Sequence, residues 1–431
     1  MPGLRRELGR WDLTAIGVNQ VIGGALFAQP SLYAASVGGW SPWLVAAVGL
    51  ASLLVALSFA EVSSRFDATG GPYLYTRSAF GRFAAFEVGW MLWFTRTVSW
   101  AAVINVLATA LAFYLPSLTG GWRRAGFIAV IIAVIAGINI RGIRHSSLVL
   151  NVLTIGKLLP LLAFIVVGSF FIDPALLVPQ HSPSLSELSA TGFLLIFAFG
   201  GYEVIPIPAG EARDPKRAVP FALIMTILIV TTVMTLVQVV ALGTLPGLAG
   251  SKTPLADAAT IFMGGTGAAL LTLGAVLATT GNNIGSALSG SRNLFALAEQ
   301  GDLPRFFGWV HPQFRTPVNA ILVTSAVSLV LAVSGRYSDL ALVSAISRLL
   351  VYVATCAATI RLRSDEFVGR VKAATFVVPF GPLIPGAAIV LALSMIAGAR
   401  REQLTAGVIA LIVGSFLYLI AVRRGLPVME N

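Results

Sequence analysis

The 431-residue sequence contains one cysteine, three histidines and little charge. Cys356 alone allows neither an internal disulfide nor a cysteine metal cluster. His145, His181 and His311 lie far apart, without metal-ligand spacing, and read as interfacial polar residues. Only 11% of the residues are charged, where soluble domains carry roughly 25%. A soluble chain of this length would lack the polar side chains to cover its surface. These scarcities exclude a soluble enzyme, a disordered chain and a disulfide scaffold. The sequence also lacks a Gly-x4-Gly-Lys-Ser/Thr loop, a Gly-x-Ser-x-Gly elbow and a His–carboxylate cluster. Neither ATP drive nor a hydrolytic site is therefore expected within the chain, which reads as no enzyme.

What is present is apolar: 57% of the residues are hydrophobic. A membrane-crossing helix needs about 20 apolar residues. Twelve candidate runs are found, at 13–37, 43–63, 83–115, 125–140, 147–172, 190–209, 219–243, 267–298, 318–334, 340–360, 374–397 and 405–422. The runs at 125–140 and 318–334 are short. Their continuity excludes a strand barrel, which would alternate with period two. The first run is long, interrupted by Gly23-Gly24 and followed by eleven more, unlike a signal peptide. With the N-terminus placed in the cytoplasm, 20 of the 29 Lys and Arg fall on inside segments and six on outside ones. Arg96, Lys157 and Arg348 remain within spans. The positive-inside rule then puts both termini in the cytoplasm and reads the net charge of +11 as topology. No clustered basic face suggests a nucleic-acid partner.

Two spans are unlike plain membrane helices. The first carries Gly17-Val-Asn-Gln-Val-Ile-Gly-Gly-Ala-Leu-Phe27, followed by Pro30. The sixth carries Phe197-Ala-Phe-Gly-Gly-Tyr-Glu203 and then Pro206 and Pro208. Glycine pairs and prolines weaken helices, and lipid cannot satisfy the backbone groups thereby freed. The breaks occupy matching positions if 13–172 and 190–360 are two five-span repeats, with 374–422 adding two helices to a single domain. An odd number of spans inverts the second repeat, the arrangement of transporters that hold substrate at the midplane. Close helix packing is the competing explanation of the glycines.

These strings resemble the amino acid–polyamine–organocation transporters. The first span resembles that family's Gly-x-Gly-x-x-Ile-Gly-Ser-Gly-Ile-Phe, with Gly17, Ile22, Gly23 and Phe27 matching. Asn19 and Ala25 stand where the family has glycine, and Gly24 where it has serine. The sixth resembles Phe-x-Gly-Phe-Glu followed by Ala-Gly-Glu, here Phe199-Gly-Gly-Tyr-Glu203 and Ala209-Gly-Glu211. Thr69-Gly-Gly-Pro-Tyr-Leu-Tyr75 and Leu297-Ala-Glu-Gln-Gly-Asp-Leu-Pro304 are also similar to family segments. The resemblance covers spans one to ten. It implies an all-α membrane protein of about twelve helices with a LeuT-type five-plus-five inverted repeat. It also implies uptake or exchange of amino acids or related amines across the cytoplasmic membrane.

Specific expectations follow. A half-helix restarting after Gly23-Gly24 points free N–H groups and a positive dipole end at the cavity. The substrate carboxylate is therefore assigned to Gly23, Gly24 and Ala25. Carbonyls near Val21 and Ile22 and around Ala198, Phe199 and Gly200 are candidates for its ammonium. By the resemblance, Phe197 is the aromatic gate, with Phe199 and Tyr202 beside it. Lys157, deep in the fifth span, must face a partner or a cavity. Burial favours its neutral form, so it is the candidate proton-coupling residue. In the family, a lysine here takes the place of bound sodium and bridges the first break to span eight. A permanently charged lysine capping first-span carbonyls is the simpler alternative. Glu203 is expected to tie the unwound backbone to a neighbouring helix, with a part in the proton path as the alternative. Arg96 and Arg348 are expected to pair with Glu87 or Glu203; if either lined the cavity, it would disfavour cationic substrates and favour neutral or acidic ones. Asn282 and Asn283 support the cavity or Lys157, while Gly281, Gly285 and Ser289 form a close-packing face. No cofactor or metal is expected. The partners are a small-molecule substrate, protons and the lipid bilayer. Proton-coupled symport is the leading expectation, with an amino acid or polyamine exchanger or a nutrient sensor as alternatives.

Overall fold

The structure is a computed structural model that describes residues 6–112, 115–118, 120–335 and 337–423. Arg5, Arg336 and Arg424 of the charge count lie outside the described residues, as do the side chains of Arg144 and His145. Among the described residues the chain is helical without strands. In order, the helices are α1 (Arg10–Val21), α2 (Gly24–Ala28), α3 (Pro30–Val37), α4 (Ser41–Ser63) and α5 (Pro72–Phe80). Next come α6 (Arg82–Ala112), α7 (Gly121–Arg141), α8 (Ile143–Gly168), α9 (Leu185–Phe199) and α10 (Pro215–Thr244). The last are α11 (Pro254–Glu299), α12 (Val318–Ser334), α13 (Tyr337–Arg361), α14 (Leu383–Ala397) and α15 (Arg401–Arg423). Nine helical segments among the described residues are long and apolar enough to cross a membrane, and α12 and α14 are shorter apolar helices.

Side-chain exposure follows from lipid as the outer solvent. On α8, Val152, Ile155, Leu159, Leu162 and Val166 are exposed, at the three- and four-residue spacing of one helical face. Lys157, Leu161 and Phe164 on the same helix are fully buried. Exposed Trp11, Trp40, Trp43 and Trp122 sit at the starts of helices, where amphipathic rings favour a membrane–water boundary. Inside the bundle, α6 packs along α11 and α13, α8 lies against α11, and α10 joins α4 and α1.

The run at 374–397 is helical only from Leu383. Two residues before it, Phe380 (φ 61°) and Gly381 (φ 59°), take left-handed conformations between Pro379 and Pro382. The segment ahead of them is docked by side chains instead. Ser64 Oγ accepts from the Thr375 and Phe376 N–H groups at 3.1 and 3.2 Å. Glu61 Oε2 accepts from the Val378 N–H at 2.8 Å and also binds Arg363. The run at 267–298 lies in a longer helix, since α11 begins at Pro254 and is kinked at Gly264 (φ 62°).

Both expected breaks exist. Helix α1 ends at Val21, and α2 begins at Gly24. Helix α9 ends at Phe199, and the chain continues in short turns to Glu211. The two breaks touch. A Cβ on Gly201 (φ 136°) would lie 2.6 Å from the Gln20 carbonyl oxygen, a backbone atom that cannot step aside. Gly281 and Gly285 give the same close approach between α11 and α1, where Cβ atoms would meet Asn19 and Gln20. These glycines therefore pack helices, as the spacing suggested. Gly201→Ala is expected to cost about 1–3 kcal/mol from backbone strain alone, read as a lowered Tm of the purified protein in detergent. Gly386→Ala, with open space around it in α14, should leave Tm unchanged or raise it.

Candidate functional site

The breaks enclose a cavity of about 20 Å³, room for about one water. Its wall is built from Gln20, Val21, Gly23, Gly24 and Ala25 at the first break and Phe197, Ala198 and Gly200 at the second. Arg96, Ser99 and Val103 of α6, Asn282 of α11 and Arg348 of α13 complete it. Of the expected substrate-binding residues, Ile22 and Phe199 are not in this wall. Phe199 is buried in the core, and the Ile22 carbonyl faces Lys157.

The glycines at the first break also answer to packing. A Cβ on Gly23 would meet the Asn282 side chain, and one on Gly24 would meet Thr279 and Val106. The Gly23 N–H is already donated to the Val21 carbonyl at 2.8 Å. Gly24 and Ala25 open α2, and first-turn N–H groups have no partner within their own helix. At the second break, the Phe197 carbonyl accepts from the Gly200 N–H at 3.1 Å and from Arg348 Nη1 at 3.3 Å. The Arg348 guanidinium also lies over the Phe197 ring, 5.7 Å from its centroid. A Cβ on Gly200 would collide with that guanidinium, so the glycine makes room for the arginine.

A buried ion cluster holds the second break. Glu203 Oε1 accepts from Arg96 Nη2 at 2.7 Å and Arg348 Nε at 2.9 Å. Glu203 Oε2 accepts from the Gly201 N–H at 2.7 Å and the Tyr352 hydroxyl at 3.1 Å. One carboxylate thus ties the unwound backbone to α6 and α13. Glu203 is fully buried, and each arginine is 2% exposed. Tyr202 stacks on Tyr352 with ring centroids 5.5 Å apart. Glu87, the other expected partner, bonds Ser415 on α15 instead.

Lys157 lies behind the first break. Its ammonium donates to the Asn19 carbonyl at 2.9 Å, Asn19 Oδ1 at 2.8 Å and the Ile22 carbonyl at 2.5 Å. All three of its donors are used, and all go to the first span. The expected bridge to span eight is not made directly, because Asn19 itself lies against Gly281 of α11. Asn282 reaches the break without the lysine, donating from Nδ2 to the Gln20 carbonyl at 2.6 Å. Asn283 is fully buried, and its amide has no hydrogen-bond partner among the described residues.

Polar networks also close one end of the bundle. Tyr73 donates to Asp302 at 2.6 Å, and Arg82 binds Asp302 and the Gly301 carbonyl. Burial beside that carboxylate raises the Tyr73 phenol pKa, so it remains a proton donor. Nearby, the Lys372 ammonium holds Asp67 below the usual carboxylate range. Towards the opposite end, a cleft of about 1110 Å³ opens between α6, α7, α11 and α12 and reaches Phe27 and Ala28. It carries Arg124, Lys252 and Asp257 and shares no lining residue with the central cavity.

Sequence reasoning did not assign Gln20, Ser99 or Val103. The α6 pair was legible, since Arg96, Ser99 and Val103 are spaced at three and four residues on one helical face. Gln20 lies within the glycine-rich string of the first span but carries no signal of its own.

A sequence model of the amino acid permease family matches residues 8–419. The chain belongs to that family. An uncharacterized transporter of Mycobacterium tuberculosis is 32% identical over 90% of this permease and 89% of its own length. A branched-chain amino acid permease of Bacillus subtilis is 27% identical over 98% and 94%. A serine/threonine exchanger of the same organism is 29% identical over 90% and 89%. The relatives are transporters and not enzymes, and the permease is a multi-pass membrane protein of this transporter family.

The ion cluster generates a direct prediction. Glu203→Gln leaves two buried guanidiniums facing an uncharged amide. Breaking such a buried pair costs about 3–5 kcal/mol. The variant should show a markedly lower Tm in detergent or fail to accumulate. Wild-type stability would mean that the cluster is not what holds the second break.

Proposed function

We propose that the permease is a secondary active transporter of amino acids in the cytoplasmic membrane, coupled to protons in symport and working by alternating access. The observation that carries this reading is the Lys157 ammonium, buried and bound to the Asn19 and Ile22 carbonyls at the first break. A protonated lysine supplies three donors there, and a neutral one supplies two. Proton loss therefore releases an oxygen at the end of α1 and loosens the first break. In this reading Lys157 is the coupling residue, and the small central cavity belongs to an occluded state.

The substrate α-carboxylate is assigned to the N–H groups of Gly24 and Ala25, with Gly23 completing the turn. Its ammonium goes to carbonyls at the end of α9, around Ala198 to Gly200, and to that of Val21. Phe197 closes the site, Tyr202 and Glu203 brace it, and Asn282 holds the first break in register, with Asn283 behind it on α11. The reading includes a LeuT-type arrangement of one transporter domain, with repeats at 13–172 and 190–360 and extra helices at 374–422. The matching helix breaks support it. Both termini are placed in the cytoplasm, supported by the uneven distribution of Lys and Arg.

The test is uptake into proteoliposomes under an inward proton gradient. Wild-type protein is expected to accumulate substrate, and Lys157→Ala to lose the pH-driven part. Undiminished pH-driven accumulation by the variant would sink the coupling role. Exchange is the second reading, favoured by the relative named as a serine/threonine exchanger. Flux that requires substrate on the opposite side at every pH would establish exchange over symport.

A further inference from the structure

The charges around the central cavity do not balance. The cavity wall contains two guanidiniums, Arg96 and Arg348. A single carboxylate, Glu203, contacts both. The other elements of the wall bring only uncharged groups: Gln20 and the backbone of α1 and α2, Ser99, Phe197, and Asn282. Tyr352 is spent on Glu203, and Lys157 on first-span oxygens. One positive charge in excess is therefore buried at the wall.

The excess is concentrated on Arg96. Arg348 has a partner on every nitrogen: Glu203 on Nε at 2.9 Å, the Phe197 carbonyl on Nη1 at 3.3 Å and, more distantly, Ser99 Oγ on Nη2 at 3.5 Å. Arg96 makes one short bond, Nη2 to Glu203. Its Nη1 reaches Gln20 Oε1 only at 3.5 Å. Among the described residues its Nε has no partner at all. Guanidinium donors are planar and fixed, suited to bidentate carboxylate binding. Leaving such donors unmet in a buried site is costly, and an anionic ligand would remove the cost.

We propose that the substrates are amino acids with an anionic side chain, whose distal carboxylate binds Arg96 beside Arg348 while the α-carboxylate takes the start of α2. This rests on the amino acid transport reading and narrows it to a charge class. Cationic amino acids are rejected by the same excess charge.

The test is a thermal-shift panel on the wild-type protein, confirmed by counterflow in proteoliposomes. The probes are glutamate, aspartate, glutamine, asparagine, leucine, serine, lysine and ornithine. Glutamate or aspartate should stabilise the protein and support counterflow, and lysine and ornithine should do neither. Binding of neutral or cationic amino acids without the acids overturns this proposal and leaves amino acid transport intact. Silence for every amino acid overturns both readings. Arg96→Gln leaves Glu203 paired with Arg348 and should weaken acid binding relative to glutamine by about tenfold or more. An unchanged acid-to-amide ratio in that variant also overturns the proposal. Should Arg96→Gln fail to fold, Arg96→Lys keeps the charge and loses the fork. It is expected to bind acids more weakly than wild type with the same order of preference, and unaltered acid affinity would count against the bidentate site.

Discussion

A helix that stops inside a membrane must have its freed backbone groups met by protein, and that requirement organises the centre of this molecule. At the second break Glu203 meets it, accepting from the Gly201 N–H and from Arg96 and Arg348 on two other helices. At the first break Lys157 meets it from the opposite sense, donating to carbonyls that α1 no longer uses. A carboxylate serves exposed N–H groups, and an ammonium serves exposed carbonyls. Neither side chain could be exchanged for the other. Each buried charge is tolerable only because its partners are already in place.

Packing follows from the same two joints. The breaks contact each other at Gly201 and Gln20, so the chain there has room for a hydrogen atom and nothing larger. Helix α11 presents Gly281 and Gly285 to α1 for the same reason. The cavity left between the breaks is the size of about one water. Anything larger than a water can occupy it only when its walls move apart. Ligands that favour such movement must supply new partners for the polar groups it uncovers, which here means groups able to satisfy N–H and guanidinium donors.

Much of this was legible from the chain. The apolar runs each contain a helix, because a membrane selects continuous apolar segments. The glycine pairs located both breaks, because glycine and proline weaken helices wherever they occur. Lys157 was recognisable because a lone amine among apolar residues has to find oxygen atoms. Other features were not legible. The run at 374–397 reads as one apolar stretch, yet its first part is held by Ser64 and Glu61, which are distant in sequence. Glu203 serves both arginines at once, where pairing rules suggested a choice between Glu203 and Glu87. Lys157 stays within reach of the first span alone. These outcomes depend on which side chains meet across the bundle, and no local pattern encodes that.

The sequence by itself determined the solvent this protein folds in, the number and position of its apolar segments, the sites where two of them fail, and the scarcity of charge within them. Those properties are local, set by hydrophobicity and backbone preference over a turn or two of helix. Only the tertiary structure decided that Arg96, Glu203 and Arg348 form one cluster with a positive charge in excess, and that its two arginines form part of the cavity wall. Its members are 107 and 145 residues apart. Their interaction strengthens as water is excluded, so it exists only once the helices around it have packed.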